Sequence, residues 1–334
     1  MFQTELILFL QSFETDFLND FFLFWSEVGF GRWTWFFMLV FLFGISFRYG
    51  FILMQAMLWN GLTSLWLKNV FALPRPAHVD LNVKLIGESG SNTTHFESQG
   101  AQRFFGGVPR DVTASLRANP PRSWGLPSGH TSNATVLGGL FFAIYRKWWI
   151  RLMAVAIVVF VPLSRMYLGR HFLADILAGY VIGFGFVFLF YKGVIKNVWL
   201  FSFLSRRPQH IRWDSKIILF LFYMCMFPPL LLFLPKTNIE LVAALLGLNI
   251  GFLLVWNRGI PGDMGAIWQR IARVFLAIGA YILSDRTLDW AVQLFFEPRP
   301  AGIAFVKNSL TVLLCVWGST ELAFKLRLFR RRSI

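Results

Sequence analysis

The sequence predicts an all-α fold, a polytopic transmembrane helical bundle, and three observations carry that prediction. Of its 334 residues, 56% are hydrophobic and only 15% are charged, against roughly 25% charged in a soluble domain. Apolar windows of about 17 to 24 residues recur along the chain, each long enough to cross a hydrocarbon layer of about 30 Å. The net charge of +15 falls between those windows instead of forming one patch. That is the pattern of basic membrane loops, not of a nucleic-acid surface, so no nucleic-acid partner is expected.

Taken in order, residues 4–27 are apolar but carry Glu5, Glu14, Asp16, Asp20 and Glu27. The mixture suits an amphipathic helix lying in the interface, with a tilted span as the alternative, and 1–30 is read as that element. Clearer spans follow at 33–47, 50–70, 129–146, 149–165 and 171–191. These make 31–192 a catalytic transmembrane core with one long loop at 77–124. A basic linker at 193–216, rich in Arg and Lys, leads to four further spans at 217–234, 239–256, 268–290 and 303–324. The region 217–334 is therefore an accessory C-terminal transmembrane region. The amino-terminal stretch is acidic and lacks a basic segment, so no cleavable signal peptide is expected. Cys225 and Cys315 lie inside separate spans and are expected to be free, packing as small apolar residues.

Alternating the spans sorts the loops into two groups. One group collects Arg48, Arg146, Lys147, Arg151, the basic linker, Arg258, Arg270, Arg273 and the C-terminal arginines, more than half of the 32 Lys and Arg. Basic residues concentrate in short cytoplasmic loops, so that side is cytoplasmic and the loop 77–124 is exoplasmic.

Three segments carry the chemistry, and all fall on the exoplasmic side. The first, Lys68-Asn-Val-Phe-Ala-Leu-Pro-Arg75-Pro76, closes the second span, where the prolines stop the helix and turn Arg75 back over Lys68. The second, Pro127-Ser128-Gly129-His130, opens a span with small residues, so that a phosphate could rest on the Ser128 and Gly129 amides. The third, Ser164-Arg165-x5-His171-x3-Asp175, spaces His171 and Asp175 four apart, which on a helix puts them on one face about a turn apart. An aspartate placed there can accept the Nδ1 proton in a hydrogen bond, which fixes the tautomer and leaves Nε2 free to attack. Each segment alone also fits an ordinary membrane-helix end: a snorkelling lysine, a serine N-cap, a salt-bridged pair. Together they supply what phosphoryl transfer requires: a nucleophile (His171), a proton donor (His130) and a cationic clamp (Lys68, Arg75, Arg165). Cations and amides neutralise the phosphoryl oxygens in this scheme, so neither metal nor cofactor is expected.

Lys-x6-Arg-Pro, Pro-Ser-Gly-His and Ser-Arg-x5-His-x3-Asp resemble the three signatures of the type 2 phosphatidic acid phosphatase superfamily, in its bacterial membrane-bound lipid phosphatase branch. The likeness covers roughly residues 15–192. It implies a helical core and a phosphohistidine on His171, with Asp175 orienting it and His130 as general acid. Lys68, Arg75, Ser128, Gly129 and Arg165 are the implied phosphate ligands. It further implies a lipid phosphate substrate reaching the site from the bilayer, in a bacterial inner membrane with the site facing the periplasm. Members of this superfamily act on undecaprenyl pyrophosphate, phosphatidylglycerol phosphate, lipid A and sphingosine phosphate, so the signatures do not name the substrate. A lipid phosphotransferase using the same intermediate is the alternative, and a lipid transporter a further one. Oligomeric state is not read from the sequence.

Outside the signatures, Glu297-Pro298-Arg299-Pro300 echoes Leu73-Pro74-Arg75-Pro76, and Arg286 and Arg299 are expected to border the headgroup site. Asn249, Asp285 and Glu321 are expected to join helices to one another. His78, His95 and His210 read as loop histidines.

Overall fold

A computed structural model of the chain describes residues 1–29, 32–88, 92–204, 215–296 and 300–329, and every regular element in them is helical. In chain order the α-helices are α1 (Glu5–Gln11), α2 (Asp16–Val28), α3 (Arg32–Leu39), α4 (Phe47–Phe71), α5 (Pro76–Val79) and α6 (Arg110–Ala118). Then come α7 (Gly129–Ile144), α8 (Trp148–Tyr167), α9 (Leu173–Phe190), α10 (Val198–Phe203), α11 (Ser215–Leu221) and α12 (Phe227–Leu230). The series ends with α13 (Ile239–Arg258), α14 (Ile267–Phe295), α15 (Ala301–Leu313) and α16 (Ser319–Lys325). Glu297 to Arg299, His210 and much of the basic linker lie outside the described residues, and with them the expectation placed on Arg299.

Among the described residues, six helical runs are long and apolar enough to cross a membrane: Trp148–Tyr167, Leu173–Ile195, Ser215–Phe233, Ile239–Arg258, Ile267–Phe295 and Ala301–Lys325. Three of the nine expected spans fall short of that standard. The run Thr34–Ile45 is apolar but short, and α7 has only 16 residues. Helix α4 has 25 residues but is diluted by Gln55, Asn60, Ser64 and Lys68. The polar residues of α4 and α7 turn out to face each other, as described below.

The expected single helix at 4–27 is two. The break falls at Thr15, whose hydroxyl accepts the Leu18 amide and starts α2 afresh, with Asp16 in its first turn. Polar capping here outweighs the continuous apolar pattern, because it satisfies amides that a helix start otherwise leaves bare.

The chain forms two compact units. The first comprises Met1–Thr34 and Trp59–Tyr191. Helix α2 packs on α8 through aromatic rings, with Phe22 and Tyr167 centroids 4.4 Å apart and Trp25 and Phe160 5.1 Å apart. Helix α7 contacts both α8 and α9. Gly179 and Gly183 let α9 approach closely, since a β-carbon on either would stand 2.8 Å from a backbone oxygen of α7 or its cap, Ser128 or Ser132. Small residues of this kind bring membrane helices together where lipid offers no hydrophobic drive. The loop 77–124 has its own small core, in which Val79, Val83 and Val112 cluster with Ile7 of α1 and with Phe172. Arg117 closes it by donating to the carbonyls of Phe71 and Ala72 at the end of α4.

The second unit comprises Trp35–Leu58 and Lys192–Ile334. Its α13 lies along α15, and Phe51 stacks on Phe252 at 3.7 Å. The three polar residues expected to join helices do so. Asn249 accepts from Gln55 and donates to the Met224 carbonyl, Glu321 pairs with Arg258 at 2.9 Å, and Asp285 pairs with Lys307.

Candidate active site

The floor of the site is polar because two helices spend their polar residues on each other. Asn60, Ser64 and Lys68 recur at four-residue spacing, hence on one face of α4. Asn60 Nδ2 donates to Ser132 Oγ (3.1 Å) and Asn133 Oδ1 (2.6 Å), and the Ser64 and Ser132 hydroxyls are 2.9 Å apart. One turn further along, Lys68 Nζ donates to the carbonyls of Trp124 (2.9 Å) and Gly125 (3.1 Å). The lysine stem passes beside the start of α7, where a β-carbon on Gly129 would lie 4.0 Å from Lys68 Cε.

Past α4, the Pro74 and Pro76 corner holds Arg75 extended at φ −89° and ψ 164°. Its guanidinium donates to Ser123 Oγ (2.9 Å) and the Trp124 carbonyl (3.4 Å), while its amide donates to His78 Nδ1 (3.2 Å). His78 is therefore part of the corner that sets Arg75, not a bystander of the loop. Burial, and then the charge of Arg75, push its ring down to about 4, so it accepts this bond as the neutral imidazole.

Ser128 caps α7. Its Oγ accepts from the Thr131 hydroxyl (2.9 Å) and amide (3.4 Å). Its own amide donates to the Asp175 carbonyl at 2.9 Å, which corrects the expectation that this amide would hold a phosphate. Gly129 opens the helix, where amides have no partner within it and the helix dipole favours an anion. His130 follows and lies within electrostatic reach of Arg165, Lys68, Arg170 and Arg75.

His171 and Asp175 meet, though not as two residues of one helix face. Helix α9 begins at Leu173, so His171 sits in the connector after α8 and Asp175 in the first turn of α9. Asp175 Oδ2 accepts the Phe172 amide at 3.0 Å and stands 3.1 Å from His171 Nδ1. A short polar side chain here does better as a helix cap than as one more buried turn, which is why the helix starts late. Both side chains are sealed, at 1% and 0% exposure. Burial, and then the charges of Lys68, Arg75 and Arg165, hold the His171 ring well below the usual imidazole range, hence neutral.

The connector is shaped by Gly169 at φ +73°, where a β-carbon would stand 2.3 Å from the Lys84 carbonyl. Gln11 of α1 braces the same turn. Its Nε2 donates to the carbonyls of Lys84 (2.8 Å) and Tyr167 (2.9 Å), and its Oε1 accepts the Lys84 amide (3.1 Å). Arg165, at 2% exposure, donates from Nη1 to Ser26 Oγ at 2.5 Å, while its buried Nε has no hydrogen-bond partner among the described residues. Arg170 pairs with Glu88 at 3.3 Å at the edge of this group.

All eight residues singled out in the sequence thus lie in the first unit, linked to one another by hydrogen bonds, close approach or electrostatic reach. Sequence reasoning missed Ser26, Ser123, the Trp124 and Gly125 carbonyls, Gln11, His78 and Arg170. Gly125 alone left a signal: it stands two residues before Pro127-Ser128-Gly129-His130, and a β-carbon on it would lie 2.7 Å from the Pro74 carbonyl and 2.9 Å from Asp175 Oδ2.

Residues 49–199 match the family model of the PAP2 superfamily, the type 2 phosphatidic acid phosphatases. This stretch is similar to that superfamily. It contains all eight site residues and runs from within α4 into α10. Among solved structures, the crystal structure of Aquifex aeolicus LpxE aligns with a TM-score of 0.43 and 21% identity, over 57% of this chain and 96% of that one. No curated protein matches the chain.

Proposed function

We propose that this protein is an integral membrane lipid phosphatase that hydrolyses a lipid phosphate ester or isoprenyl pyrophosphate through a phosphohistidine on His171. The observation that carries the reading is a neutral, buried His171 backed by Asp175 and surrounded by Lys68, Arg75 and Arg165, with a guanidinium nitrogen of Arg165 that has no partner among the described residues. A buried cation with an unmet donor is costly unless an anion completes it.

In the first step His171 Nε2 attacks phosphorus while its Nδ1–H donates to Asp175. The phosphorus–oxygen bond to the lipid or lipid phosphate breaks, and His130 protonates the departing oxygen. In the second step His130 takes a proton from water, the resulting hydroxide attacks the phosphohistidine, and inorganic phosphate leaves with His171 restored. Lys68, Arg75, Arg165 and the Gly129 amide hold the three non-bridging oxygens, whose charge the transition state spreads. No step calls on a metal or cofactor. The asymmetry of basic residues between the two sets of loops favours an exoplasmic, and in a bacterium periplasmic, site. A substrate anchored in the bilayer would then present its headgroup to the pocket from the side.

The test is phosphate release by the purified protein from long-chain isoprenyl pyrophosphate, phosphatidic acid, phosphatidylglycerol phosphate and sphingosine phosphate. His171→Ala should abolish release from whichever is hydrolysed, and acid-quenched wild type should carry labelled phosphate on His171. Undiminished release by the variant would overturn the assignment. Label appearing in a second lipid instead of inorganic phosphate would make the protein a transferase.

A further inference from the structure

The second unit contains an apolar groove that the chemistry above does not use. It has a volume of about 540 Å³ and is bounded by Trp199 and Leu200 of α10 and by the run from Lys216 to Phe227. Leu219, Phe222, Tyr223 and Phe227 form its wall. Leu219 is 67% exposed, although the whole run Ser215–Phe233 is apolar enough to cross a membrane. Its size lies within the range of small-molecule sites, about 300–1,000 Å³.

Among the described residues, Lys216 is the one charged residue on the lining. It is the second residue of the span, so it stands at the level where chain gives way to headgroup. Its ammonium lies 5.5 Å from the centroid of the Trp199 ring, which holds the charge over the groove mouth by cation–π attraction. The surrounding sequence reinforces the sign: between 192 and 216 there are Lys192, Lys196, Arg206, Arg207, Arg212 and Lys216 against a single acid, Asp214.

We propose that this groove binds one acyl chain of an anionic phospholipid of the cytoplasmic leaflet, with the lipid phosphate on Lys216. The wall is apolar and belongs to a run long and apolar enough to cross a membrane, which fits an acyl chain and leaves a polar ligand without partners. The rim is cationic, so it attracts a headgroup of net negative charge. A zwitterionic headgroup carries its own cation and gains less. Basic pockets beside membrane helices on the cytoplasmic side recognise lipids by this division of labour.

The experiment uses the full chain in nanodiscs and a photoactivatable phosphatidylglycerol with a diazirine in its acyl chain, with adducts mapped by peptide mass spectrometry. Adducts are expected on α10 and on the run from Lys216 to Phe227. They should fall about fivefold in Lys216→Gln, the factor carried by one basic residue near the surface. Leu219→Trp, which fills the groove without touching the charge, should lower them as well. The phosphatidylcholine analogue should label these peptides more weakly. Melting temperature and gel filtration establish that both variants are folded, and Leu219→Trp keeps the test alive should Lys216→Gln fail to fold. Equal labelling by the two lipids, labelling unchanged in both variants, or crosslinks to a second copy of the chain at these residues would each overturn the proposal.

Discussion

Two arginines, one in each unit, are buried to the same 2% exposure and treated in opposite ways. Arg273 is bonded through two of its three nitrogens to main-chain carbonyls. Its Nε donates to the Leu328 carbonyl (2.9 Å), its Nη2 to the carbonyls of Leu328 (2.6 Å) and Met264 (2.8 Å), and its guanidinium lies 4.1 Å from the Phe329 ring centroid. Arg165 has Ser26 on one nitrogen and a buried Nε with no hydrogen-bond partner among the described residues. The first is a staple that ties the end of the chain to α14. The second keeps a donor in reserve beside two histidines. Burial alone says little about an arginine; what its nitrogens do separates a structural role from a functional one.

The sharpest way to break this comparison is to remove each guanidinium in turn. Arg165→Ala should lower phosphate release about 10²- to 10³-fold, the usual cost of one transition-state donor, with little change in melting temperature. Arg273→Ala should do the reverse. It should cost about 2 kcal/mol or more in stability, as charged hydrogen bonds inside a protein do, and leave turnover within about twofold. Similar losses of turnover in both variants would erase the distinction.

Lys68 and Arg75 fall between these extremes, because both lean on the Trp124 carbonyl and Lys68 also on that of Gly125. Gly125→Ala forces a methyl against Pro74 and Asp175, and displacements of about 1 Å at such a site cost up to 10²-fold. A loss of ten- to a hundredfold in kcat with a smaller change in KM is expected. Unchanged kinetics would show that these carbonyls do not set the clamp.

The smallest effect concerns His78, which fixes the backbone of Arg75 and leaves its guanidinium alone. The folded ring titrates at about 4, whereas an unfolded histidine titrates at about 6.5. Between those values the unfolded chain binds the extra proton, so stability should decline as pH falls from about 6.5 to about 4. His78→Asn keeps an acceptor for the Arg75 amide but cannot titrate there, and its melting temperature should decline less over that window. Identical pH profiles would exclude the assignment.

What was legible in the sequence was whatever a short segment carries with it. Lys68, Arg75, Ser128, Gly129, His130, Arg165, His171 and Asp175 are found by residue type and spacing, and their convergence follows from alternating spans. What was not legible depends on main-chain oxygens and distant partners. The carbonyls of Trp124 and Gly125 look like any others in a sequence, and Ser26 is 139 positions from Arg165. Periodicity misled where capping won. It ran α1 and α2 together across Thr15, and it placed His171 inside a helix that starts two residues later. Both α4 and α7 read as clear spans, yet the polarity that dilutes α4 meets its partners on α7 and builds the floor of the site.

The amide of Ser128 joined to the carbonyl of Asp175 has a mechanical corollary. Because the latch is main chain to main chain, truncating either side chain leaves it in place, and the segments that carry His130 and His171 are tied together there. On the proposed lipid phosphatase reading, room for a bulky headgroup is expected from the proline-flanked corner that carries Arg75, and ligand-dependent hydrogen exchange should appear there while the Ser128 amide stays protected.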